Sequence, residues 1–236
     1  MNYQEFEKKF LEELKQNNIK SLTDIENFYK YMNIILDWNT KINVTAIKNP
    51  DEFISKHFID SLIVAKYIKD NDVVIDVGTG AGFPGIPLKL YNNNIFVTLL
   101  DSVSKKIMIV NDVIEKLKLE NIEAIHARAE EFIKDNREKY NVAVSRAVAN
   151  MSTLVEYLIP FVKIGGIIIC MKGPSLDEEL ANAEKAINVL GGTIEKIDTF
   201  NIDGEMERNI VIIRKTRPTP KVYPRGQSKP LKSPIK

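Results

Sequence analysis

The sequence predicts an α/β protein: an open, mostly parallel sheet with an antiparallel strand pair at its C-terminal end, preceded by helices. Three observations predict it. From residue 72 onward, short β-branched runs alternate with helix-period segments, as a parallel sheet covered on both faces requires. The last two runs, 193–200 and 208–214, stand close together with no helix between them, so they should pair antiparallel. The first 65 residues instead carry apolar stripes at helical spacing.

The elements follow in order. Tyr3, Phe6, Phe10 and Leu14 mark one helix face. Ile25, Phe28, Met32 and Ile35 mark a second, behind the cap candidates Ser21 and Thr23. Ile54, Phe58, Leu62 and Ala65 mark a third, opened by Pro50-Asp51-Glu52. The intervening Asn39–Ala46 is polar and turn-prone. Strands are expected at Val73–Val77, Ile95–Leu100, Ile122–His126, Val142–Ser145 and Ile164–Met171, with helices at 84–91, 103–119, 129–139 and 151–162. A helix at 176–190, Gly191-Gly192 and the final strand pair, turning near Asp203-Gly204, complete the sheet. The chain divides into a helical cap (1–68), a core (69–215) and a basic, proline-rich tail (216–236).

Composition narrows the function. The 236 residues suffice for one buried domain plus an appendage. No apolar run approaches the roughly 20 residues of a membrane span, and the first residues lack the order of a secretory signal. A cytoplasmic chain with no membrane partner is expected, and a monomer. Cys170, the single cysteine, excludes a disulfide framework, and it falls in a predicted buried strand, where packing is its expected role. No metal site is expected.

Eight of the 33 basic residues and none of the 32 acidic ones lie between Arg214 and Lys236. Residues 1–213 therefore hold 25 against 32, a formal charge of −7. Five of the ten prolines also fall in this tail, which should preclude helix or central strand there. It reads as an extended arm for phosphate, with Arg217, Lys221, Arg225, Lys229 and Lys232 as candidate nucleic-acid contacts.

The segment richest in chemistry is Val73-Val74-Ile75-Asp76-Val77-Gly78-Thr79-Gly80-Ala81-Gly82-Phe83-Pro84-Gly85. A strand runs into a glycine cluster, which brings bare backbone against a ligand, and a helix opens at Pro84. Gly80, Gly82 and Gly85 match the dinucleotide fingerprint, and Asp101 at the next strand end can accept from ribose hydroxyls. Asp76, two residues before the first glycine, would repel a pyrophosphate and suits a cationic amine. Arg128, Ser145-Arg146 and Lys172 each follow a predicted strand, at the sheet edge where ligands of such folds bind. Arg146 is costly to bury unpaired, which favours ligand contact; Arg128 and Lys172 are further substrate candidates. His57 on the third helix reads either as a surface pair with Asp60 or as a substrate-facing contact with Asn43. No acid–base dyad, nucleophilic cysteine or Asn/Asp-Pro-Pro-aromatic motif is present. Among methyl-transferring enzymes, which the glycine loop with its following acid resembles, that absence fits transfer to an unprotonated ring nitrogen, which needs alignment and no base.

The D-x-G-x-G-x-G loop with its following acid resembles class I S-adenosylmethionine-dependent methyltransferases. That resemblance implies that Asp101 holds the ribose, the glycine loop passes the methionine part, and Ala129-Glu130 flank the adenine. More specifically, Asn43–Ile47, Lys56–Leu62, Asp76–Gly85, Leu100-Asp101-Ser102, Ala127–Glu131 and Ser145-Arg146-Ala147 resemble the bacterial small-subunit rRNA guanine-N(7) methyltransferases, the glucose-inhibited division protein B family. The resemblance implies a class I fold and methylation of one guanosine in the decoding-region loop of 16S rRNA, free or in an assembling 30S subunit. It implies cofactor contacts at Gly78, Phe83, Ala129, Glu130 and Arg146, beside Asp76, Gly80, Gly82, Asp101 and Ser102 from the loop and its partner strand. The positioning candidates are Arg146, His57 and Asn43. Two alternatives stay open on the residues alone: a nicotinamide-dependent oxidoreductase, from the literal fingerprint, and a non-catalytic RNA-binding chaperone, from the tail.

Overall fold

A computed structural model describes the chain apart from Ser21, Thr23, Ala147, Val148, Asp203, Glu205 and Lys236. The two cap candidates, the Ala of Ser-Arg-Ala and the Asp of the last turn thus lie outside the described residues.

Among the described residues, seven strands form one sheet in the order β3-β2-β1-β4-β5-β7-β6. Strands β1 (Val73–Val77), β2 (Phe96–Asp101), β3 (Ile122–His126), β4 (Tyr140–Arg146) and β5 (Val162–Lys172) are parallel, close to the predicted bounds. The expected antiparallel pair is β6 (Gly192–Ile202) with β7 (Met206–Lys215). The last strand is inserted between β5 and β6, so β7 alone runs against the others. Its apolar Ile210–Ile213 run needs cover on both faces, which an edge cannot supply. The half-exposed residues of β6 suit an edge.

Side chains alternate between two cores, as strand geometry demands. One face of β1, β2, β4 and β5 sends Val74, Leu99, Val144 and Ile169 into a cluster with the N-terminal helices. The other sends Ile75, Leu100, Ala143 and Cys170 toward the helices that follow β3, β4 and β5. Cys170 is buried there, and burial pushes its thiol up to about 12, so it packs and does not react.

Helices α1 (Tyr3–Gln16) and α2 (Glu26–Lys41) form where the stripes predict, burying Phe6, Phe10, Phe28 and Ile35. Trp38 packs against the domain as expected, its indole N–H donating to Asp112 at 2.7 Å. The third segment departs from expectation. Helix α3 (Pro50–Phe53) widens into a π-helical stretch, Ile54–Ile59, before α4 (Asp60–Leu62). The wider turn faces His57 and Phe58 inward together, so a 3.6-residue period misplaces His57 at the stripe's edge.

Helices α5 (Gly85–Tyr91), α6 (Ser104–Lys116), α7 (Ala129–Asn136), α8 (Met151–Leu158) and α9 (Leu176–Val189) complete the layers. The tail is not a free arm. It folds back over α8, and Lys229–Lys232 form a helical turn, α10, with Pro230 tolerated in its first turn. Pro230's carbonyl accepts from Thr153 Oγ1 at 2.8 Å. Among the described residues, no helix is long and apolar enough to cross a membrane.

Candidate active site

The chain passes from β1 outward to β3 and returns to β4 beside β1. This reversal opens a crevice at the carboxyl ends of β1 and β4, where open α/β sheets bind ligands. A cleft of about 510 Å³ lies there, within the range of small-molecule sites.

Its floor is the glycine loop. Gly78 (φ 75°) and Gly80 (φ 63°) need the left-handed backbone that glycine tolerates. A side chain at Gly80 would meet no atom within 4 Å and would stand in the cleft. Gly82 serves packing instead: a Cβ there would come 2.7 Å from the Tyr31 hydroxyl. That hydroxyl donates to the Ala81 carbonyl at 2.7 Å, so α2 clamps the loop from below. Gly82, expected among the ligand contacts, therefore faces Tyr31 and Ile86 and does not line the cleft.

Asp76 also changes role. It is fully buried and does not line the cleft. Its Oδ2 accepts from Thr79 Oγ1 at 2.7 Å and the Gly85 N–H at 2.9 Å, bracing both ends of the loop. Burial raises its carboxyl to about 6, opposed by those hydrogen bonds. Strand pairing puts Asp76 behind the loop, so the expected contact with an amine is replaced by support of the backbone.

Asp101 does line the cleft. Its Oδ2 accepts from Gly80 N–H at 3.0 Å and its Oδ1 from Val103 N–H at 2.9 Å. Each carboxylate oxygen has two lone pairs; Oδ1 keeps one open, and Oδ2 also faces Lys106 Nζ at 3.6 Å, beyond hydrogen-bond reach, so the carboxylate can still accept from a vicinal diol. Ser102, Ala129 and Glu130 stand beside it, and Gly78, Phe83 and Arg146 line the same cleft. Bare backbone at Gly80, a diol acceptor at Asp101 and sufficient volume fit an adenosyl cofactor.

The opposite wall is built on β4. Ser145 is buried, donating to the Val77 carbonyl at 2.7 Å, and the next residue, Arg146, is the one that lines the cleft. Arg146 Nη1 pairs with Asp60 at 3.0 Å, and Arg208 Nε grips the other Asp60 oxygen at 2.9 Å. Arg146 Nη2 meets His57 Nδ1 at 3.1 Å, and His57 Nε2 meets Thr45 Oγ1 at 2.8 Å. The His57 ring stacks on Phe83, centroids 4.3 Å apart. Burial, aided by the neighbouring Arg146 charge, lowers His57 to about 3, so the imidazole is neutral. The surface-pair reading of His57 and Asp60 is thus overturned. Of the three positioning candidates, Arg146 and His57 come together, but Asn43 is exposed and off the cleft; Thr45 meets His57 instead. Thr45 stood inside the Asn43–Ile47 resemblance with no role of its own, and Arg208 in β7 had none either, because a hydroxyl in a polar turn and an arginine at the start of a hairpin strand resemble any surface residue.

The roof was also not foreseen. Ser228 and Leu231 of the tail line the cleft, and Arg128 Nη1 donates to Ser228 Oγ at 2.9 Å. Arg225 does not face solvent phosphate: its backbone N–H, Nε and Nη2 all bond the buried Glu156 carboxylate at 2.7–2.9 Å. Lys172, expected as a substrate contact, is likewise enclosed, 8% exposed and paired with Glu179 at 2.6 Å. Burying either cation without a partner would be too costly. Arg217 bonds Asn188 yet stays exposed, as do Lys221, Lys229 and Lys232.

A family model described as rRNA small subunit methyltransferase G matches residues 24–211. The chain is 49% identical over 215 residues to a ribosomal RNA small subunit methyltransferase G of Acetivibrio thermocellus, covering 89% of this chain and 88% of that one. It is 49% identical over 219 residues to the like-named protein of Alkaliphilus oremlandii, covering 90% and 91%. Among solved structures, M. jannaschii TYW2 in complex with AdoMet aligns with a TM-score of 0.55 at 15% identity, over 66% of this chain and 75% of that one. A precorrin-6y C5,15-methyltransferase from Geobacter metallireducens aligns with a TM-score of 0.53 at 15% identity, over 75% and 92%. At such identity the two structures show the shared fold alone.

Proposed function

Because the chain belongs to the rRNA small subunit methyltransferase G family, we propose that it methylates nitrogen 7 of a guanosine in the decoding-region loop of 16S rRNA. It is an S-adenosylmethionine-dependent rRNA methyltransferase. The observation that carries the reading is the glycine floor open at Gly80 beside Asp101, at the crevice between β1 and β4.

When bound, S-adenosylmethionine supplies an electrophilic methyl on a sulfonium; transfer to a ring nitrogen leaves the bonding pair on sulfur, moves the positive charge to the base and releases no proton. Gly78 and Gly80 would pass the methionine part, Asp101 would hold the ribose diol, and Ala129 and Glu130 would flank the adenine. Arg146, His57 and Phe83 shape the wall toward the incoming base. Both His57 nitrogens are engaged and Asp60 is held by two arginines, so this wall offers positioning and no free base. A nucleophile with an unprotonated lone pair suits such a wall.

We read residues 1–68 as the cap that adds His57 and Thr45 to this wall, 69–215 as the cofactor-binding core that supplies Arg146 and Phe83, and 216–236 as the segment that roofs the cleft. Exposed Arg128, Arg217, Lys221, Lys229 and Lys232 are our candidates for rRNA phosphate contact. The partner is rRNA, free or within an assembling 30S subunit, met by a monomer in the cytoplasm. Incubation with methyl-labelled cofactor and unmethylated rRNA or 30S subunits should place one label on guanine nitrogen 7. Absence of label on every RNA form, from protein that binds the cofactor, would refute the assignment.

A further inference from the structure

We propose that, given transfer to guanine nitrogen 7 as read above, the Thr45 hydroxyl is a specificity-determining donor that holds oxygen 6 of the target guanine and leaves nitrogen 7 free. The assignment follows from counting protons. A guanidinium is only ever a donor, so Arg146 Nη2 at 3.1 Å makes His57 Nδ1 an acceptor. The imidazole is neutral, so its one proton sits on Nε2 and is donated to Thr45 Oγ1 at 2.8 Å. The Ile47 N–H donates to the same oxygen at 3.2 Å. A hydroxyl oxygen has two lone pairs, and both are now taken. What remains is its own proton, and among the described residues nothing accepts it. Thr45 lines the cleft.

The donor is also held in place. Asn39, on the last turns of α2, accepts from the Val44 and Thr45 N–H groups at 2.8 and 3.0 Å and donates to the Thr45 carbonyl at 2.8 Å. Thr45 belongs to the β4 side of the cleft. The ends of β2 and β4 flank β1 and so lie about 10 Å apart at ordinary strand spacing. A cofactor sugar at Asp101, on β2, therefore leaves the Thr45 wall to the base.

Base chemistry selects this kind of donor. Guanine presents nitrogen 7 and oxygen 6 side by side as acceptors. A two-pronged donor would engage both and tie up the lone pair that must react. A single hydroxyl proton engages one, and the Arg146 fork beside it is already spent on Asp60, the Lys56 carbonyl and His57. Adenine presents an amino donor where guanine has oxygen 6. A hydroxyl with no lone pair left cannot accept it, so the same atom rejects adenine.

The test uses full-length protein and rRNA carrying guanosine, inosine or 2-aminopurine at the target position. Inosine keeps oxygen 6, and 2-aminopurine lacks it. Thr45→Val also removes the acceptor of His57 Nε2–H and Ile47 N–H, a loss common to all three bases, so the contact with oxygen 6 is read as a difference: kcat/KM should fall about tenfold further on guanosine and on inosine than on 2-aminopurine, the worth of one neutral hydrogen bond. Thr45→Ser should restore most of the rate. An equal loss on all three bases would make Thr45 merely structural and overturn the proposal. So would wild-type turnover of 2-aminopurine as fast as inosine, a comparison that needs no variant to fold. Wild-type label at an atom other than nitrogen 7 would overturn the functional reading and this proposal together, and is visible in the guanosine product alone.

Discussion

Replacing Arg225 by alanine tests whether the basic tail is part of the fold or an arm in solvent. Glu156 on α8 is completely buried, and its two oxygens take three hydrogen bonds from Arg225, at 2.8, 2.9 and 2.7 Å. The backbone N–H survives the substitution, but the guanidinium does not, and a carboxylate is left in the core with its countercharge gone. Breaking a buried pair from one side costs about 3–5 kcal/mol, a large share of a typical domain's stability. Urea denaturation of Arg225→Ala should show that loss as a lower midpoint at unchanged slope. A second change, Glu156→Gln in the same chain, should recover about 1–2 kcal/mol, because a neutral amide is cheaper to bury than a carboxylate. The pair also anchors the segment that carries Ser228 and Leu231 over the cleft. Calorimetry with S-adenosylhomocysteine should therefore show about tenfold weaker binding, since the roof must now be ordered at the ligand's expense. A loss below about 1 kcal/mol, with only RNA affinity reduced, would refute the reasoning and return Arg225 to the solvent-facing arm.

Gly80→Ala should weaken S-adenosylhomocysteine at least tenfold in calorimetry while costing only about 1–2 kcal/mol in a thermal melt, because its Cβ meets no protein atom and enters the cleft. Gly82→Ala should lower the melting temperature more, through Tyr31 and Ile86. His57, lowered from 6.5 to about 3 on folding, contributes stability that is full above pH 6.5 and is lost as pH falls toward 3. Between pH 7.5 and 5, His57→Gln should therefore lose about 2 kcal/mol less than the wild type in urea titrations, Asp76 titrating alike in both. Of the tail cations, Arg214 pairs with Glu195, Lys215 is buried and Arg225 is committed to Glu156. Changing Arg217, Lys221, Lys229 and Lys232 together to alanine should reduce the slope of log K against log[salt] for rRNA by about 3, at about 0.7 per single-strand phosphate contact.

Local patterns were legible wherever a periodicity or a backbone constraint decided the outcome. The strands, the helix stripes of α1 and α2, and the glycine loop with Asp101 all belong to this class. The positioning of Arg146 and His57 was half legible, since their meeting depends on a π-helical turn that a 3.6-residue period cannot anticipate. Proline content argued against any helix in the tail, and there it failed, since Lys229–Lys232 form a short one with Pro230 in its first turn.

Sequence alone therefore determined the α/β architecture and the chemistry of the cleft floor, because strand alternation and positive-φ glycines are properties of neighbouring residues. Tertiary structure decided the roles of individual charges. Asp76 braces the loop from behind and Arg225 is locked to Glu156, because a polar group's role depends on which distant partner shares its burial, and that partner lies up to 69 residues away for Arg225. Only folding shows which charges are enclosed, and enclosure in a low-dielectric interior turns a candidate ligand contact into a strut.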